Sequence, residues 1–190
     1  MWKSGWRKTS YNWTMKKTEA LLIGPQNTPN LPLPIVIIKS EIHFSKSIRN
    51  LGVIFDDKLS MKQQVSKVCQ STYLELRRIS SVRHVLTVEA TKTLVTSLVL
   101  SFLDYCNSRL SGMPQQHIEK LQKVQNCSAR LIFKTSKRSH ALPLLTKLQW
   151  LPVAQRIDYK VSSMYVLWGS LRKCPALLDW PALFGFQNER

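Results

Sequence analysis

Six glycines are scattered through the chain, and neither a GxxxxGK loop followed by Ser or Thr nor a GxGxxG turn occurs among them. Loops of that kind cradle nucleotide phosphates on backbone N–H groups, so those binding modes are excluded. Cysteine is equally sparse: Cys69, Cys106, Cys127 and Cys174 form no CxxC or CxxH pair. A zinc site therefore has no local chelate to start from. The opening MWKSGWRKTSYNWTM contains charges and three tryptophans but no apolar core, unlike a secretory leader. Without such a leader the thiols read as reduced, with Cys69, Cys106 and Cys127 lying in helical patterns. The most apolar stretch, Leu94 to Leu103, is interrupted by Thr96, Ser97 and Ser101. It falls well short of the roughly 20 residues a membrane-spanning helix needs. The expectation is a soluble or at most peripheral protein of the cytoplasm or nucleus, with oligomeric state left open.

Acidic side chains are the other shortage. Against 28 Lys and Arg stand 11 Asp and Glu, a net charge of +17. Such an excess favours a polyanionic partner, either nucleic acid or an anionic surface. Most of it belongs to residues 60–190, whose pattern is helical. A 44% share of hydrophobic residues is ample for a packed core.

The expected fold class is α+β, mostly α. Ala20 to Gly24, Ile35 to Ile38 and Ile48 to Phe55 are short apolar or alternating runs that read as three strands of a small sheet. The prolines and asparagines between Gln26 and Pro34 form a loop. After Leu59 the period changes. Ser60 with Gln63 predicts a capping box, and Met61, Val65, Val68, Thr72, Leu76 and Ile79 fall on one side of a first helix. A second helix begins at Thr87, and its broad stripe from Leu94 to Cys106 predicts the most buried element. Pro114 opens a third, whose apolar face holds Ile118, Leu121, Val124, Gln125, Ser128, Leu131 and Ile132. Lys120, Lys123, Cys127, Arg130 and Lys134 share another face, roughly 130° away at 3.6 residues per turn. A short helix over 141–150 and a last one carrying Ile157, Val161, Met164 and Trp168 complete four or five helices. The domain reading is an irregular edge at 1–16, strands over 17–59, helices over 60–172 and an irregular tail over 173–190.

Six motifs in order carry a resemblance: KTEALLIG at 17–24, LGVIFD at 51–56, SFLDYCNS at 101–108, LQKVQN at 121–126, LQWLPV at 148–153 and RIDYK at 156–160. Together with the Gly-Met-Pro turn at 112–114, they are similar to the end of the palm and the thumb of LINE-type (non-LTR) retrotransposon reverse transcriptases, over roughly residues 17–178. The resemblance implies strands at the primer-gripping edge, here Leu51, Gly52 and Val53, followed by a thumb that holds a template–primer duplex. It also implies that the family's metal-binding F-x-DD turn lies upstream of the KTE motif, in a stretch this chain does not contain.

Phe55-Asp56-Asp57 superficially resembles one half of a two-magnesium polymerase site, which requires a third carboxylate from an earlier strand. Only Glu19 and Glu41 precede it, so the pair is expected to be a solvated turn. His43, His84, His117 and His140 have no recognisable nucleophile motif around them. The expectation is no catalytic residue, no metal site and no cofactor, Mg2+ belonging to the intact family only. Asp104 is expected to make a structural hydrogen bond. The candidate nucleic-acid contacts are Lys120, Lys123, Arg130, Lys134, Lys137 and Arg138, with Arg77, Arg78 and Arg83 near the end of the first helix. They are expected to bind RNA or RNA·DNA duplex through phosphates. The competing expectation is a helical protein-interaction or structural module without a nucleic-acid role.

Overall fold

The structure, a computed structural model, describes residues 18–24, 35–37 and 40–172. Cys174, the irregular edge and tail, and the proline-rich loop lie outside the described residues. The fold is α+β, mostly α, and it divides into two compact units between Gln63 and Gln64.

The first unit contains two antiparallel hairpins. β1 (Ile35–Ile37) pairs with β2 (Ser40–Ile42), and β3 (Ser47–Asn50) pairs with β4 (Val53–Asp56). The expected single strand from Ile48 to Phe55 is thus two strands folded back on each other. Leu51 and Gly52 have φ of 47° and 84°, so both central residues of the two-residue turn are left-handed. That geometry matches the right-handed strand twist and favours glycine at the second position. The alternation that suggests one strand continues through a turn whose only signal is Gly52. Ala20 makes one parallel bridge to Phe44 rather than an extended strand, with the Ser45 N–H donating to the Ala20 carbonyl at 2.8 Å.

Asp56 is buried, not solvated as expected. Its two carboxylate oxygens accept the N–H groups of Ser60 and Met61, each at 3.0 Å. Leu59 and Met61 both have positive φ, 50° and 54°, and these two bonds hold that cramped entry into the first helix. The Ser60 hydroxyl accepts the Lys62 N–H, at 3.4 Å. Burial pushes the Asp56 carboxyl up, but the bonds from Ser60 and Met61 outweigh it and hold the group below its ordinary 3.8.

In the second unit α1 (Lys62–Val82) turns Val65, Thr72, Leu76 and Ile79 inward, as the period predicts. α2 (Val88–Val95) is capped by the Thr87 hydroxyl, which accepts the Ala90 N–H at 3.2 Å. It runs into a π turn at Thr96–Leu100 and then into α3 (Ser101–Asp104). The π turn advances the register by one residue. Val95, Val99 and Leu103 are buried as a result, while Leu98, Phe102 and Cys106 are exposed. The predicted broad stripe is therefore only partly buried. A 3-10 turn at Asn107–Leu110 leads to α4 (Gln115–Phe133), then α5 (Leu142–Leu148) and α6 (Val153–Arg172).

The central element is α4. It packs against α2, α5 and α6, and Val124, Ala129 and Ile132 on its inner face are fully buried. Thr72, Thr91 and Ser128 on these inner faces bond back one turn, to the carbonyls of Val68, Thr87 and Val124. α6 departs from expectation. Val153 and Ile157 are buried, but Met164 and Trp168 are exposed, so its apolar stripe docks only at the N-terminal end.

A guanidinium stitches the helices together. Arg83, 6% exposed, donates from Nε to the Leu131 carbonyl at 2.9 Å, from Nη1 to Leu86 at 2.7 Å and from Nη2 to Ile132 at 2.6 Å. The last carbonyls of a helix have no intrahelical partner, and a cation there also opposes the negative end of the dipole.

Replacing Arg83 by Ala is expected to cost about 3 kcal/mol, the range for losing charged hydrogen bonds and stranding buried carbonyls. R83K should recover only part of it; urea denaturation midpoints measure both. For Asp56 the folded pKa is depressed, so its stabilisation is present above the unfolded value and lost as pH falls through the folded one. D56N is expected to cost about 1 kcal/mol near neutrality. That difference should vanish in acid, as read by paired thermal melts.

Candidate nucleic-acid interface

The helical periods of α1 and α4 set two rows of side chains facing each other. Cys69, Tyr73 and Arg77 stand at intervals of four along the outer face of α1. Lys120 and Lys123 stand three apart on α4. Between them lies a groove of about 520 Å³, lined also by Leu74. Three cations and no carboxylate line it. The Tyr73 phenol on α1 lies near the Cys127 thiol on α4. Burial raises the Tyr73 pKa first, and the neighbouring Cys127 and Cys69 raise it further. Burial likewise raises the Cys69 thiol, and nearby Lys120 partly offsets this. Cys69, Cys106 and Cys127 are free thiols.

The predicted cations do not form one patch. Arg77, Lys120 and Lys123 come together at this groove. Arg130 and Arg138 line a second groove of about 540 Å³, which also contains Glu119 and His140. Arg130 is half-buried and donates from Nε to the Ser139 carbonyl at 3.0 Å, closing the loop after α4. Lys134 is the left-handed C-cap of α4 at φ 52°, not a continuation of its cationic face. Lys137 is exposed in the following turn. Arg78 is exposed and paired with Glu75 at 2.7 Å on its own helix. Arg83 is withdrawn from any phosphate by its three carbonyls. Of the strand residues, Leu51 and Gly52 form the exposed turn and Val53 is buried. Sequence reasoning passed over Tyr73 and Cys69; the spacing of Cys69, Tyr73 and Arg77 along the outer face of α1 was the available signal.

Around α4 the polar residues of the sequence motifs meet one another. Gln125 is fully buried and donates to the Leu151 carbonyl at 2.9 Å. The Gln122 side-chain Oε1 accepts the Val153 N–H at 2.8 Å, capping the start of α6. Its amide nitrogen donates to Gln125 at 3.0 Å and to Asn126 at 2.8 Å. Asp104 is bound in bidentate fashion by Arg156, with Nε at 2.9 Å and the second contact from Nη2. Lys160 donates to the Asp104 carbonyl at 2.6 Å. The expected structural role of Asp104 is what the geometry shows.

Among the described residues no three His, Cys, Asp or Glu side chains are grouped so as to hold a metal ion. No helix among them is long and apolar enough to cross a membrane. No family model matches the chain, and comparisons with curated proteins and with solved structures likewise return no match.

A double-mutant cycle on D104N and R156A is expected to give a coupling near 1 kcal/mol, as a bidentate but partly solvated pair should. Zero coupling would mean that the Asp104–Arg156 pair does not hold the α3–α6 junction.

Proposed function

We infer that this chain is the palm end and thumb of a non-LTR retrotransposon reverse transcriptase, without polymerase activity by itself, and that its helical unit binds RNA or RNA·DNA duplex weakly. The observation that carries the binding reading is the α1–α4 groove, where Arg77, Lys120 and Lys123 converge with no carboxylate in the lining. The net charge of +17 acts in the same direction by drawing a polyanion in from a distance. Family origin draws support from the motifs themselves. LQKVQN holds LQWLPV through Gln122 and Gln125, and RIDYK holds SFLDYCNS through Arg156, so four of the six act as one mechanical unit.

Binding of this kind reads phosphates rather than bases, because an A-form groove offers side chains little base-edge information. Affinity should therefore be indifferent to sequence and fall steeply with salt as counterions are released.

A second reading has its own observation. Tyr165, Val166, Leu167 and Trp168 on α6 are all more than half exposed, so apolar side chains ring that stretch of helix, which suits contact with another protein. Under that reading the protein is a helical interaction module.

Band shifts of an RNA·DNA duplex at two salt concentrations separate the two. The triple variant R77A/K120A/K123A is expected to flatten the dependence of log affinity on log salt by about 3 units, near one per phosphate contact. Arg83 and Arg130 are left intact because their carbonyl bonds hold the fold. Absent or salt-insensitive binding counts against the nucleic-acid reading. Extension of a primed RNA template by the purified protein overturns the proposal that it lacks polymerase activity.

A further inference from the structure

We propose that the α1–α4 groove seats an unpaired nucleotide, with its base against Tyr73 and its phosphates on Arg77, Lys120 and Lys123, so that single strands bind in preference to duplex. This rests on the nucleic-acid reading above and adds what the groove itself selects.

Phosphate attraction alone requires only cations on a convex surface. Here the cations line an open groove of about 520 Å³. Its lining is amphipathic. Tyr73, 38% exposed, and Leu74, 48% exposed, supply ring and aliphatic surface, while the charges come from both helices. Tyr73 lines the groove from the α1 side, with Lys120 and Lys123 on the α4 side. An aromatic face flanked by cations is how single-stranded nucleic acid is gripped without regard to sequence, since every base has a face to stack. A duplex keeps its bases stacked on each other and cannot deliver one into a groove, whereas a single strand can turn a base out.

Fluorescence anisotropy of the full chain with a labelled oligo(U) and with an RNA·DNA duplex of equal length tests this. The single strand is expected to bind about tenfold more tightly, the scale of one base–aromatic stack. Y73L, which keeps apolar bulk but loses the ring, should remove that preference by weakening single-strand binding about tenfold more than duplex binding. Y73F and Y73W should retain it, which guards against a folding defect in Y73L, and circular dichroism melts check all three. Equal affinity for the two polymers, or a Y73L effect that is absent or equal on both, overturns the seat. If K120A/K123A still weakens salt-dependent duplex binding in that case, the phosphate-contact reading stands without it. If neither polymer binds, both proposals fall together.

Discussion

A buried guanidinium is costly unless its nitrogens find acceptors, and Arg83 finds a carbonyl for each of its three nitrogens. Two of these carbonyls belong to the last turn of α4, the other to the chain just ahead of α2. That single side chain fixes where the end of α1 stands against the end of α4. The position of one helix relative to the other in turn determines that Cys69, Tyr73 and Arg77 look across at Lys120 and Lys123. Charge is spent on architecture at one end of the helix pair and left available for a ligand at the other.

The same economy recurs in the polar motif residues. Gln125 occupies a position on the buried face of α4 where an aliphatic residue would pack. Its amide instead holds the Leu151 carbonyl, while Gln122 caps α6. An amide buried this way is costly unless bonded, so it specifies one arrangement of the turn before α6 rather than merely filling volume. Asp104 does the corresponding work between α3 and α6. Motifs that look like signatures of an activity are, in this unit, signatures of how helices are joined.

Where the helices lie was largely legible beforehand, because an apolar residue every three or four positions is a strong local signal and α1, α4 and the Thr87 cap follow it closely. The strands were less legible. Four-residue strands are too brief for alternation to distinguish one strand from a hairpin, and the turn at Leu51-Gly52 is announced by one glycine alone. The π turn after α2 was invisible, since inserting one residue into a helical turn leaves composition untouched while rotating Leu98 and Phe102 outward.

By itself the sequence determined the class of the fold, the large positive charge and the two-faced character of α4, all of which depend on residues within a turn or two of each other. Only the tertiary structure decided which cations are free. Arg77 within α1 and Arg83 just past its end look alike in the local sequence, but the carbonyl that accepts the Arg83 Nε is 48 residues away. Lys123 and Arg130 share a helical face, yet Arg130 is drawn off by a loop carbonyl that no periodicity foretells. A hydrogen bond between distant segments depends on where the chain returns in space, and that is a property of the packed whole.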